Sequence, residues 1–179
     1  MVGLLSFLIL SGEVLNYAFV LLVRSSGWML TDTIMAMGEV LIRLFRVSIS
    51  RHFYFRGCLS AGRFFRSGDM TIGPAIDEAA EYYLLPEWSG ISTSPSASKI
   101  LNDAEPLFDC FIQYDIPLKN MTERRGWSLN WVNSKTNTNI PNEKIRQIMY
   151  EESTKINDIS AYFKIKNTLD FYDYVNSAK

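Results

Sequence analysis

The chain has 179 residues, 47% apolar and 13% aromatic, which is ample for about one domain with a packed core. Lys and Arg number 18 against 19 Asp and Glu, so the net charge of −1 gives no sign of a nucleic-acid-binding surface. With His52 as the sole histidine there is no His/Cys metal cluster and no Ser-His-Asp arrangement, and Cys58 and Cys110, set in apolar strand-like sequence, read as buried free thiols of a reducing cytoplasm.

Residues 2–23 are long and apolar enough to span a bilayer, with Arg24 as a flank. Glu13 stands at their centre, where an acidic side chain costs about 2.5–3.5 kcal/mol, and no Lys or Arg precedes the run as a signal peptide requires. The expectation is a buried helix up to about Leu15 and a buried strand over 18–23, within a cytoplasmic domain. Membrane anchorage through residues 2–23 is the alternative.

Thr31, Asp32 and Thr33 supply helix-capping groups, with Asp32 as N-cap. Met37, Val40, Leu41, Leu44 and Phe45 then recur at helical spacing, while Glu39 and Arg43, four apart, share a solvent face. This helix should pack on a sheet. Residues 53–60 are aromatic and apolar enough for a central strand, and Gly62 and residues 67–69 mark two turns. Gly73 and Pro74 open a helix over 74–84 whose inward stripe is Ala75, Ile76, Ala79, Ala80 and Tyr83. A short strand over 90–93 and a helix from Ser94-Pro95 to about Leu101 follow.

Residues 107–118 make a long strand candidate ending at Pro117. The polar run 120–125 turns it back into a second strand over 127–132, giving a hairpin. Residues 134–139 read as a loop, and Pro141 opens a helix with Ile145, Ile148 and Met149 inward. Ile159, Tyr162, Phe163, Leu169 and Tyr172 mark a C-terminal helix broken near Lys166. Trp88, Trp127 and Trp131 fit core positions, with stacking on a base as the functional alternative.

The stretch 56–98, with its strand beginning Arg56-Gly57, its small-residue turn and its segment Gly73-Pro74-Ala75-Ile76-Asp77-Glu78-Ala79-Ala80-Glu81, resembles the second half of a class III nucleotidyl cyclase domain. The resemblance continues through Asp115-Ile116-Pro117-Leu118-Lys119, Leu129-Asn130-Trp131 and the run 164–171, covering roughly residues 35 to 175. It is closest to a bacterial and phage subfamily related to antiphage pyrimidine cyclases.

Such cyclases convert a nucleoside triphosphate to a 3′,5′-cyclic nucleotide and pyrophosphate, with two metal ions held by two aspartates. The resemblance implies that both aspartates belong to the N-terminal half. No Asp precedes Asp32 here, and Tyr17 stands where the second is expected; a phenol protonated near pH 7 is a poor ligand for a hard divalent ion. Asp77 stands where the family carries a ribose-orienting Asn, and Glu81 where it carries a phosphate-stabilising Arg. These two acids on one helix face suit either a cation or the solvated first turns of a helix.

The catalytic candidates are thus Asp77, Glu81 and Arg56, and the nucleotide-binding candidates Lys119 and Gly73. Arg56 would meet phosphate or ribose, or pair structurally with Asp77 or Glu78. Lys119 would reach a nucleotide across a dimer interface, or be a solvated turn lysine. No metal ligand is assigned and no cofactor is expected, with Mg or Mn if the chain is active.

The fold expected is α+β: a mostly antiparallel sheet with helices on its faces, a truncated ferredoxin-like cyclase core plus a C-terminal hairpin and helices. It forms a single domain over 1–179, divided into an atypical apolar segment (1–30), a cyclase-like core (31–104) and the hairpin and helices (105–179). The function expected is that of a catalytically deficient cyclase-like protein, as a fragment, a pseudoenzyme or a complementing subunit. Its partners would be a second copy or another cyclase-like chain, with a nucleoside triphosphate as ligand and no nucleic acid. An active cyclase of unusual pattern and a membrane-anchored interaction protein are the rival readings.

Overall fold

Apolar residues at helical spacing build the first element, α1 (Leu30–Ser50), in a computed structural model that describes residues 30–67, 70–103, 109–120, 122–132 and 140–177. The expected helix and strand over 2–23, and Tyr17, lie outside the described residues. After α1 come β1 (Gly57–Leu59), the hairpin strands β2 (Phe65–Ser67) and β3 (Met70–Ile72), and α2 (Pro74–Tyr82). Then follow β4 (Ile91–Thr93), α3 (Pro95–Asp103), β5 (Phe111–Pro117), β6 (Glu123–Leu129), α4 (Asn142–Ser153) and α5 (Ile159–Ser177).

The main sheet has the order β1-β4-β6-β5, and β2 with β3 forms a separate antiparallel pair. β1 runs parallel to β4, while β4 and β6, and β6 and β5, are antiparallel. A parallel neighbour needs a crossover, which the segment containing α2 supplies. The fold is therefore α+β, with more antiparallel than parallel pairing.

Alternation along β5 sends successive side chains to opposite helical layers. Phe111 faces α1, where a Cβ on Gly38 would stand 3.1 Å from its ring, so this glycine lets the helix approach the sheet. Tyr114 faces α5 instead: it stacks on Trp88 at 5.6 Å and meets Phe171 edge-on at 4.9 Å. Trp88, Trp127 and Trp131 are all buried, as their core reading requires, and Cys58 and Cys110 are buried free thiols.

One buried cation knits the far end of the core. The Arg46 guanidinium of α1 donates to the Trp131 carbonyl at 2.9 Å, to Asn142 Oδ1 at 2.6 Å and to the Ile140 carbonyl. Asn142 Nδ2 in turn donates to the Val132 carbonyl at 2.8 Å. Burial presses the Arg46 pKa downward, and the bonds to carbonyl oxygens offset the desolvation.

Several expectations are corrected. Only Gly57–Leu59 of the expected strand over 53–60 is extended, and among the described residues it lies at a sheet edge, because β4 takes the inner place beside β6. The strand expected over 107–118 is β5, Phe111–Pro117, with residues 104–108 outside the description. Asp32 lies in the first turn of α1, which already begins at Leu30, and so is not its N-cap. Val40 and Leu44 are exposed, whereas Met37, Leu41 and Phe45 enter the core.

Residues 123–125, expected in a turn, belong to β6, where the cross-strand ion pair of Arg125 with Asp115 at 3.1 Å makes charge compatible with a strand. α5 is unbroken at Lys166, whose ammonium pairs with Asp170 one turn on at 2.5 Å. Its Tyr162 and Phe163 are exposed. No helix among the described residues is long and apolar enough to cross a membrane.

Candidate anion-binding cleft

Arg56 sits just before β1, and its side chain crosses to the segment that follows α2. There its Nη1 donates to the Pro86 carbonyl at 3.3 Å, and the guanidinium lies 5.7 Å from the centre of the Tyr83 ring. The anticipated partners Asp77 and Glu78 do not hold it. The same segment is laced to the end of β5. Glu87 N donates to the Pro117 carbonyl at 2.9 Å, Lys119 N donates to the Leu85 carbonyl at 3.1 Å, and Pro86 bridges Leu118.

This lacing brings Lys119 into the same cleft as Arg56. The third wall is α5, whose Ser160, Lys164 and Asn167 recur at spacings of four and three and so share one face. Ser160 Oγ donates to Glu87 Oε1 at 3.1 Å, and Asn167 Nδ2 donates to the Glu87 carbonyl at 2.6 Å, fixing the helix against the segment after α2. The open cleft has a volume of about 700 Å³, within the range of small-ligand sites. Thr122, Glu123, Ile159 and Phe163 complete its rim.

Three cations, Arg56, Lys119 and Lys164, line this cleft with two acids, Glu87 and Glu123. Burial lowers the Lys119 pKa first, and Arg56 lowers it further; Glu87 pulls the other way, and Lys164 adds to the lowering. Lys119 makes no ion pair among the described residues, and Arg56 and Lys164 set like charge near its ammonium while Glu87 opposes them. An anion seated between Arg56 and Lys119 would relieve that repulsion. Arg56 would offer planar paired donors and Lys119 a point charge.

The other three candidate residues lie elsewhere. Asp77 and Glu81 are exposed on α2, and neither lines the cleft. Among the described residues no three His, Cys, Asp or Glu side chains converge as a metal site would require. Gly73, with φ 147°, is the N-cap of α2, and a Cβ there would stand 2.6 Å from the Arg63 carbonyl oxygen. Its task is the close turn into α2, not contact with a ligand in this cleft.

Glu78, between the two exposed acids, turns inward and accepts from Ser96 N at 3.1 Å and from the Ser96 hydroxyl. Sequence reasoning did not single out Lys164 and Glu87 as site residues. The polar face Ser160, Lys164, Asn167 of the C-terminal helix was the available signal for the first; Glu87 carried none, because only the lacing of β5 to the segment after α2 brings it in. Compared with protein-family models, with curated proteins and with solved structures, the chain matches none.

Proposed function

We propose that this chain is a nucleotidyl-cyclase-like protein without metal-dependent cyclisation, whose remaining ligand function is to bind a phosphorylated nucleotide in the Arg56–Lys119 cleft. The observation that carries the reading is the convergence of those two residues, far apart in the sequence, on one cleft with Lys164. Phosphate gives the anion its charge, and the rim residues Ile159 and Phe163 give an apolar surface for the rest of the ligand. With the β2–β3 hairpin between β1 and α2 set aside, the order β1, α2, β4, α3 supports the reading, since a strand, helix, strand, helix order is what the resemblance implies.

The two-metal chemistry of the cyclases does not fit the donors at hand. Asp77 and Glu81 are exposed, lie outside the cleft and join no third acidic, histidine or cysteine donor among the described residues. At a triphosphate, Glu81 in place of a cation would repel the charge it was meant to stabilise.

Isothermal titration of the full chain with ATP, GTP, CTP and UTP, and with their 3′,5′-cyclic products, tests the reading. Saturable binding that weakens with added salt and is lost in the Arg56→Ala, Lys119→Ala double variant is the expected result. Absence of binding by every phosphorylated nucleoside at millimolar concentration would remove it. Cyclic product formed only on mixing with an intact cyclase-like chain would assign the complementing-subunit form of the proposal.

A further inference from the structure

The walls of the Arg56–Lys119 cleft carry charges of both signs, and their balance limits how much phosphate it accepts. Arg56, Lys119 and Lys164 are its cations and Glu87 and Glu123 its acids, so three against two leave an excess of one positive charge. Glu87 is set by the fold on both sides. Its N donates to the Pro117 carbonyl at 2.9 Å, its own carbonyl accepts from Asn167 Nδ2 at 2.6 Å, and its Oε1 accepts from Ser160 Oγ at 3.1 Å. Glu123, exposed at the start of β6, is the register partner of Pro117, two residues before Lys119. Arg56 is held as well, by the Pro86 carbonyl and beside the Tyr83 ring.

Resting on the assignment of this cleft to a nucleotide, we propose that its ligand carries a single phosphoryl group, as a nucleoside monophosphate or a cyclic phosphodiester does, and that Glu87 and Glu123 turn polyphosphates away. One phosphoryl group is met in full by the paired donors of Arg56 and the point charge of Lys119. Each further group adds negative charge that Lys164 alone remains to answer, and brings that charge towards two carboxylates. Like charges set against the wrong guest are a general means of rejecting a near relative of the right one. The uncharged lining includes Pro117, Leu118, Ile159 and Phe163, an apolar surface suited to a flat ring and unsuited to more phosphate.

Isothermal titration of the full chain at fixed ionic strength, with a chelator present, compares the 5′-monophosphate, the 3′,5′-cyclic monophosphate and the 5′-triphosphate of adenosine, guanosine, cytidine and uridine. The tighter of the two single-phosphate forms is expected to bind about fivefold or more above the triphosphate of the same nucleoside, and Glu123→Gln to narrow that ratio about threefold by strengthening the triphosphate. Whichever single-phosphate form is tighter identifies the ligand as a monoester or a cyclic diester. Triphosphate binding that equals or exceeds both, and is lost in the Arg56→Ala, Lys119→Ala double variant, would overturn the single-phosphate assignment and leave the nucleotide assignment standing. A triphosphate that becomes the tightest ligand on adding magnesium would do the same, with the two acids then serving the ion. A ratio unchanged in both Glu123→Gln and Glu87→Gln would also overturn the role given to these carboxylates. Failure of every nucleotide to bind would remove both assignments together.

Discussion

Glu78 on α2 holds Ser96 at the start of α3 by two bonds, one from the backbone amide at 3.1 Å and one from the hydroxyl. Ser96 Oγ also accepts from Ala61 N at 2.9 Å, so one serine ties together α2, α3 and the chain leaving β1. A carboxylate near the N-terminal end of α3 meets both an orphan amide and the positive end of the helix dipole. Replacing Glu78 with Ala should lower stability by about 1–2 kcal/mol in urea unfolding. Exposed Glu81, on the same helix, should tolerate Ala with a change within about 0.5 kcal/mol. Equal effects at the two positions would refute the assignment of Glu78 as the structural acid.

Gly73 adopts a backbone conformation that residues with a Cβ rarely take, and the Arg63 carbonyl and Phe64 Cα close off the space beside it. Gly73→Ala is expected to destabilise by at least about 1–3 kcal/mol. Because Gly73 does not line the cleft, whatever fraction stays folded should bind ligand with unchanged affinity. A selective loss of affinity with normal thermal stability would restore its candidacy as a binding residue.

Burial raises the Cys58 thiol from its ordinary 9.0 to about 12, the Cys110 thiol from 9.0 to about 11, and the Tyr114 phenol from 10.0 to about 12. Nearby acids add to the last two, with Glu39 first at Cys110 and Asp170 first at Tyr114. A group whose pKa is higher folded than unfolded stabilises the native state fully below the unfolded value, and that contribution fades as pH climbs to the folded one. Stability measured by urea midpoint should thus be insensitive to these groups near pH 7 and should fall between about pH 9 and 12. The thiols should also stay unreactive toward a disulfide reagent at pH 8 until denaturant is added. Rapid labelling of native Cys58 would contradict its burial.

Incubated alone with ATP, GTP, CTP or UTP and magnesium or manganese, the purified chain is expected to release no cyclic nucleotide. Loss of a single stabiliser of transition-state charge typically costs on the order of 10²–10³ in rate, and on the proposed cyclase-like reading Asp77 and Glu81 would stand where an amide and a cation are needed. Metal-dependent product that vanishes in Asp77→Ala would disprove the reading. Product insensitive to that substitution would point to a contaminating enzyme.

The elements with their own periodicity were legible in the sequence. The α2 stripe of Ala75 and Ala79, the inward Ile145, Ile148 and Met149 of α4, and the hairpin ending at Pro117 all follow from spacing and turn chemistry. What spacing does not convey is which residues of an apolar helix reach the core: Val40 and Leu44 share the helical recurrence of Met37, Leu41 and Phe45 and yet are exposed. Charge in residues 123–125 suggested a turn because the cross-strand partner Asp115 lies in another segment. The cleft had the same difficulty in stronger form. Arg56 and Lys119 were each visible as candidates, but their meeting depends on Pro86 pairing with Leu118, a long-range contact that no local pattern announces.

Arg46 and Asn142 clasp the two flanks of the stretch 133–139, holding Trp131 and Val132 on one side and Ile140 on the other. One guanidinium of α1 thus fixes both flanks at once, so a change at Arg46 would release Trp131 and Ile140 together, and a single substitution would be felt at two points of the chain distant from it.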